Sequence, residues 1–119
     1  MTSAEFDVLV VMSQDLLRDG VCEAIAANHD ISVQAAAEAS KGIQAAHRRQ
    51  PDVILLALEP DGGRVGFDLD PCRAIVAASP QSKVLCLADE PTTQLVDHAL
   101  RAGAQGAVSY THLTLPTKA

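Results

Sequence analysis

Val53-Ile54-Leu55-Leu56-Ala57-Leu58 is a continuous apolar run, and it decides the fold class. Two further runs, over residues 6–12 and 84–88, have the same character, and residues 31–35 form a weaker fourth. Short apolar runs rich in β-branched residues are typical of strands buried on both faces, as in a parallel sheet. The sequence therefore predicts four strands of one buried sheet.

Helix-length segments lie between these runs. Ser13 is predicted to cap a first helix that ends near residue 28, because a serine oxygen can accept from the free N–H groups of a first turn. A second, alanine-rich helix over residues 40–50 has Ile43, Ala46 and His47 on one face, and Pro51 ends it.

The second half of the chain repeats this alternation. Pro71 falls in the first turn of a third predicted helix that ends near residue 78. Thr92 or Thr93 begins a fourth helix, Gly103 ends it, and a fifth strand starts near Gly106. Strands and helices in this order, with right-handed crossovers, predict an α/β fold with a doubly wound parallel five-stranded sheet.

Composition and missing motifs exclude several functions. The 119 residues are 48% hydrophobic and 20% charged, which is ordinary for a single globular domain. No apolar run approaches the ~18 residues of a membrane span, so we expect a cytoplasmic protein without a membrane partner. The formal net charge is −6, and Arg48–Arg49 is the only basic cluster, which argues against DNA binding by this segment. The glycine-rich phosphate loops and the nucleophile elbow do not occur.

The cysteines and histidines do not indicate a metal site or a cofactor. Cys22, Cys72 and Cys86 are widely spaced, with no Cys-x-x-Cys pair, and are predicted to be reduced core residues. His47 and His98 lie on separate predicted helices without a histidine one turn away. We therefore expect no bound cofactor.

Five segments together resemble a known family: residues 8–11, 16–20, 50–56, 82–87 and, most specifically, 99–106. To about residue 107 the chain resembles the CheY-like receiver domain of bacterial response regulators, of the kind joined to LuxR-type DNA-binding domains. The resemblance implies a flavodoxin-like fold and a role in two-component signal transduction, phosphorelay and transcription regulation.

The residues that the family uses for phosphorylation are missing. The resemblance places the phosphoacceptor aspartate at Ala57, and the Mg²⁺-holding acidic pair at Met12 and Ser13. A methyl group cannot attack phosphorus, and a thioether with one hydroxyl cannot replace two carboxylates around a hard cation. The switch hydroxyl of the family corresponds to Ala88, and its reorienting aromatic residue to Ala107. We therefore expect a degenerate pseudo-receiver with no catalytic, cofactor-binding or metal-binding residues, and not an enzyme.

Two features leave alternatives open. Several acids follow the predicted strands on one rim of the sheet: Asp15, Glu59, Asp61, Asp89 and Glu90. One interpretation is that they form a solvated surface. The alternatives are that they bind a metal weakly or that one of them substitutes for the phosphoacceptor. The 59–70 loop is about three residues longer than the resemblance implies, and is either a surface insertion or a site for a small molecule or partner.

The end of the sequence departs from the family. Residues 108–119 resemble a translated transposon mosaic end, as found in sequencing adapters. We predict a receiver-like domain over residues 1–107 and a non-native tail over 108–119, so that the last helix and a helix-turn-helix domain are missing. One face of the sheet would then be partly uncovered, and we predict either marginal stability or self-association.

These expectations define a predicted function. The chain is predicted to be a non-phosphorylatable regulatory module that acts on a protein partner or by homodimerisation through the side of the fourth helix and fifth strand. DNA would be contacted only through the missing C-terminal domain. The alternatives are a small-molecule sensor that uses the 59–70 loop, and a phosphorelay receiver with a substitute acid.

Overall fold

The computed structural model describes residues 6–59, 67–89 and 91–109. Within these residues, strands and helices alternate in the predicted order. The elements are β1 (Phe6–Val11), α1 (Asp15–Ala26), β2 (Ile31–Ala36), α2 (Ala39–Arg49), β3 (Val53–Ala57), α3 (Asp70–Ala78), β4 (Lys83–Ala88), α4 (Thr93–Arg101) and β5 (Gly106–Ser109). β5 continues through residues 108 and 109, where the tail was predicted to begin, and residues 110–119 lie outside the described part.

The five strands form one sheet in the order β2-β1-β3-β4-β5, and every pair is parallel. The predicted doubly wound sheet is therefore confirmed. β1, β3 and β4 are interior strands with long buried runs, which explains their clear sequence signal. β2 lies at an edge and is half-exposed along most of its length, so its apolar pattern is weaker.

Alternate residues of the strands point to opposite faces of the sheet, and each face has its own core. Leu9 and Val11 of β1 pack in a core with residues of α2, α3 and α4. Val8 and Val10 pack in a second core, to which α1 contributes Val21. Among the described elements, α1 is the only helix on this second face. Toward β5, this second face of the sheet carries half-buried side chains, among them Val108.

The start of α1 differs from the prediction. The N-cap is Gln14 and makes no side-chain capping bond, while the predicted cap, Ser13, donates its hydroxyl to Glu59 at 2.9 Å. The helix ends at Ala26, before residue 28. The prediction of a Ser13 cap is wrong because the helix begins at Asp15, which makes Gln14 the N-cap and leaves Ser13 one residue outside the capping position.

The buried face of α2 also differs in part. His47 is exposed, and the residues that face the sheet are Gly42, Ala45 and Ala46. A Cβ at Gly42 would lie only 2.7 Å from both Cγ atoms of Val11, so this helix approaches β1 too closely for a larger residue. Close packing therefore selects small residues on this face and leaves the imidazole outside.

The ends of α4 confirm the predicted signals. Thr92 is the N-cap, and its Oγ1 accepts from the Leu95 N–H at 3.0 Å. Gly103 has φ of 105°, a left-handed conformation that favours glycine after a helix. Leu100, by contrast, points outward and is 49% exposed.

A polar network ties the turns at the amino edge of the sheet, where the strands begin. Gln50 follows α2 in a left-handed conformation with φ of 46°, and its Nε2 donates to the Ala78 carbonyl at 2.9 Å. The buried Ser79 donates to Gln50 Oε1 at 3.3 Å and lies 2.5 Å from the hydroxyl of Ser82, which in turn donates to the Pro51 carbonyl. This network joins the turn before β3 to the turn before β4.

None of the described helices has the length and apolar character that a bilayer crossing requires.

Candidate functional site

A cavity of about 280 Å³ lies at the carboxyl ends of β1 and β3, the edge where doubly wound sheets bind their ligands. The ends of the two strands form its floor, and the residues that begin α2 and α3 form its walls. Its lining consists of Val11, Met12, Ser13, Ala37, Glu38, Ala39, Leu56, Ala57, Glu59, Asp68 and Pro71.

The structure brings three of the predicted positions together. Met12, Ser13 and Ala57 line this cavity and also a smaller one of about 60 Å³ beside it. Met12 is 2% exposed and Ala57 is 7% exposed, so both present apolar atoms within the packed end of the sheet. Ser13 is exposed and holds its hydroxyl on Glu59. These positions therefore provide a methyl group, a thioether and one hydroxyl.

The other two positions taken from the resemblance lie further along the sheet. Ala88 ends β4 and is completely buried, and Ala107 of β5 is half-buried against the same core as α4. Each presents only a methyl group where the resemblance implies a switch hydroxyl and a reorienting aromatic ring. Neither residue lines the two cavities beside Ala57.

The predicted acidic rim is reproduced in part. Glu59 lines both cavities, and Asp89 lines the smaller one. Asp15 lines neither and instead accepts from Arg18 at 2.8 Å on the surface of α1. Asp61 and Glu90 lie outside the described residues.

Two acids of the cavity are absent from the sequence-based candidates. Glu38 is the N-cap residue of α2, and Asp68 accepts from the Asp70 N–H at 3.0 Å at the start of α3. Asp68 also donates its own N–H to the Glu59 carbonyl at 2.9 Å, which fixes it beside the end of β3. An acid two residues before the Asp-Pro start of a helix is a capping signal, and that signal would have found Asp68.

The cavity combines an apolar floor with carboxylates at its wall, and a guanidinium group lies nearby. Across residues 6–59, 67–89 and 91–109, no group of three or more His, Cys, Asp or Glu side chains is placed to hold a metal ion. The guanidinium group of Arg18 lies near the cavity. Its Nη1 donates to the Met12 carbonyl at 2.9 Å and so joins α1 to the end of β1. The cavity offers an apolar floor with carboxylates at its wall, which suits a small molecule with an apolar body and hydrogen-bond donors.

Comparison with solved structures identifies the fold. A LuxR-family two-component response regulator from Aurantimonas sp. SI85-9A1 matches with a TM-score of 0.76 and 20% identity, over 89% of this chain and 74% of that one. The signal receiver domain of NarL from Mycobacterium tuberculosis matches with a TM-score of 0.76 and 22% identity, over 90% and 85%. The chemotaxis protein CheY4 from Vibrio cholerae matches with a TM-score of 0.73 and 18% identity, over 91% and 87%.

Sequence comparison adds no closer assignment, since no family model and no curated protein matches the chain. These three structural likenesses are at 18–22% identity and define the architecture. The chain has the receiver-domain fold of two-component response regulators.

Proposed function

We propose that this chain is a receiver-like regulatory module that is not phosphorylated, performs no catalysis and acts by contact with other proteins. The observation that carries the proposal is the chemistry at the carboxyl edge, where Ala57 and the buried Met12 stand at the positions that the family resemblance gives to acids. An alanine methyl cannot form an acyl phosphate, and Met12 offers no oxygen from its side chain to Mg²⁺.

The direct test is incubation of the full chain with acetyl phosphate and Mg²⁺, followed by intact-mass spectrometry. We expect no phosphoryl adduct. The matched control is the triple variant Met12→Asp, Ser13→Asp, Ala57→Asp, which restores the carboxylates that the resemblance implies and is expected to gain an adduct. If the triple variant does not fold, the double variant Ser13→Asp, Ala57→Asp replaces it, since it restores one metal-binding acid and keeps the buried Met12.

A covalent adduct on the unaltered chain would overturn the proposal. If Glu59→Gln then removed that adduct, Glu59 would be the substitute phosphoacceptor. Glu59 is the acid to test first because it lies two residues past Ala57, is exposed and lines both cavities.

We infer that the protein contact is self-association through α4 and β5. Leu100 supports this inference, because it is a large apolar side chain, 49% exposed, on the outer surface of α4. The exposed ion pair between Arg101 and Asp97, at 3.0 Å, lies on the same helix and provides a polar rim. We propose contact with DNA only through a separate domain, as the resemblance to receivers joined to LuxR-type DNA-binding domains implies.

Sedimentation velocity tests this inference on matched variants. Leu100→Asp is expected to shift the chain toward the monomer, whereas Leu16→Asp is expected to leave its association unchanged. Leu16 is a suitable control because it is 87% exposed and lies on α1, on the opposite face of the sheet. Dissociation by Leu16→Asp alone would place the contact on α1 instead.

The cavity supports a second candidate function, the sensing of a small molecule. Its volume of about 280 Å³ is close to the lower end of the range of ligand sites, roughly 300–1,000 Å³. We expect amine-bearing compounds from a fragment set to raise the melting temperature. Ala57→Leu should abolish the shift by filling the floor. A shift that persists in Ala57→Leu would exclude this cavity as the binding site.

A further inference from the structure

Two cysteines that are distant in sequence meet in the core. Cys72 lies in the first turns of α3, and Cys86 lies within β4. Both are completely buried, and their Sγ atoms are 3.8 Å apart. Both point into the core between the sheet and the α2–α4 layer. The third cysteine, Cys22, is half-buried on α1, on the opposite face of the sheet.

The two thiols have different chemical roles. The Cys86 thiol donates toward Cys72 Sγ, and this bond lowers the pKa of Cys72 although burial opposes it. The same bond, together with burial, raises the pKa of Cys86. Of the two thiols, Cys72 is therefore the one that ionises more readily. Burial raises the pKa of Cys22, and it has no second cysteine within bonding distance.

We propose that Cys72 and Cys86 form a reversible disulfide when the protein meets a peroxide. The sulfur atoms are already in contact, and bond formation requires them to approach by roughly 1.8 Å, since a disulfide bond is about 2.05 Å long. The proposal is independent of phosphorylation and of any ligand in the cavity.

The reaction balances with one molecule of hydrogen peroxide. The Cys72 sulfur attacks one peroxide oxygen, the O–O bond breaks, and Cys72 becomes a sulfenic acid as one water leaves. The Cys86 sulfur then attacks the Cys72 sulfur, its proton joins the departing hydroxide, and a second water leaves. Two thiols are oxidised to one disulfide, and the peroxide is reduced to two waters. A dithiol reductant reverses the reaction by thiol–disulfide exchange.

The crosslink would fix α3 to the sheet. It closes the segment from residue 72 to residue 86, which includes the turn held by Ser79 and Ser82. Pro71, the neighbour of Cys72, lines the cavity at the carboxyl edge, so oxidation would also fix one wall of that cavity. A crosslink of this kind restricts the unfolded chain, and the oxidised protein should melt at a higher temperature.

The test uses Cys22→Ala, which keeps the pair and removes the third thiol. The folded protein is treated with hydrogen peroxide and then denatured in the presence of excess maleimide, which alkylates any free thiol. Its intact mass is then measured by mass spectrometry. We expect the loss of two hydrogen atoms, no maleimide addition, a melting temperature raised by about 5 °C or more, and full reversal by dithiothreitol. Cys22→Ala with Cys72→Ala, and Cys22→Ala with Cys86→Ala, are the matched controls and should show no such product.

Two results would overturn the proposal. One is the recovery of both thiols as maleimide adducts after peroxide treatment of the folded protein. The other is crosslinking only in denaturant, which would show that the native arrangement does not promote the bond. If a control variant fails to fold, a non-reducing digest of the unaltered oxidised chain decides the question, because it must contain a peptide linked through Cys72 and Cys86.

Discussion

At the amino edge of the sheet, the side chains of Gln50, Ser79 and their neighbours form hydrogen bonds with one another and with backbone carbonyls of the turns. At the carboxyl edge, the same strands end in Met12, Ala57 and Ala88, and a cavity stands between the first two. Doubly wound sheets bind their ligands at the carboxyl edge. Here the polar side chains of the amino edge bond to one another, whereas Glu38, Glu59 and Asp68 of the carboxyl edge line the cavity. Separate residues therefore specify the scaffold and the chemistry of this fold.

The edges also differ in what stabilises them. Hydrogen bonds join the turns at the amino edge, whereas apolar contact dominates near the carboxyl edge, where Val11 lies against the backbone of α2 at Gly42. Loss of a buried hydrogen-bond partner is costly at the first edge, and added volume or charge is costly at the second.

The largest effect is expected from an acid introduced at the carboxyl edge. Met12→Asp should lower the free energy of unfolding by about 3 kcal/mol, because it removes a buried apolar side chain and places a carboxylate where the side chain is 2% exposed. Met12→Leu, the volume-conserving control, should cost less than about 1.5 kcal/mol. Urea denaturation measures both. A tolerated aspartate would show that this edge still accommodates an acidic site.

Added volume beside β1 is expected to have the next largest effect. Gly42→Ala should cost about 2 kcal/mol, because the new Cβ would lie 2.7 Å from the Val11 methyl carbons. Gly20→Ala is the matched control, since no atom lies within 4 Å of its Cβ position, and it should stabilise the exposed helix by about 0.5–1 kcal/mol. Thermal melts of the two variants measure both changes in stability. Equal changes in Gly42→Ala and Gly20→Ala would refute close packing at Gly42.

The polar network at the amino edge is tested by Ser79→Ala. We expect a loss of about 1.5 kcal/mol, because Gln50 Oε1 and the Ser82 hydroxyl each lose a buried partner. Ser40→Ala, at an exposed position of α2, should stay within about 0.5 kcal/mol of the unaltered chain. Denaturant titration of the two variants compares them directly, and a neutral Ser79→Ala would remove the distinction between the edges.

The smallest effect is expected from the surface ion pair of the amino edge. Arg49 lies 3.3 Å from Asp7, and both side chains retain substantial exposure, at 44% and 28%. Arg49→Ala should cost about 0.5 kcal/mol at low ionic strength and less in 1 M salt, because solvent and salt screen such pairs. A loss that salt does not reduce would indicate a packing role for the Arg49 side chain.

Sequence patterns predicted the elements that burial defines. The interior strands can be identified because burial of both faces gives a continuous apolar run. The ends of α4 can be identified because Thr92 caps its first turn and Gly103 adopts the left-handed conformation after its last turn. The cap of α1 was placed one residue too early, because the serine signal does not show that the helix begins at Asp15, after Gln14. The buried face of α2 was partly missed because helical spacing does not reveal how closely a helix approaches the sheet.

In the candidate site, too, some features could be predicted from the sequence and others could not. The strand ends at Met12 and Ala57 could be located because parallel strands bring their carboxyl ends to one edge. Asp68 was missed although its position two residues before Asp70 and Pro71 is a local signal for the start of a helix. The contact between Cys72 and Cys86 was missed because a separation of 14 residues, across a turn, hides it.

Sedimentation velocity with and without a phosphoryl donor tests whether this fold acts without phosphorylation. The chain is measured in Mg²⁺ before and after treatment with acetyl phosphate. We predict the same distribution of monomer and dimer in both samples, because the carboxyl edge offers Ala57 in place of a phosphoacceptor. A distribution that shifts with acetyl phosphate and returns when the donor is removed would contradict the claim.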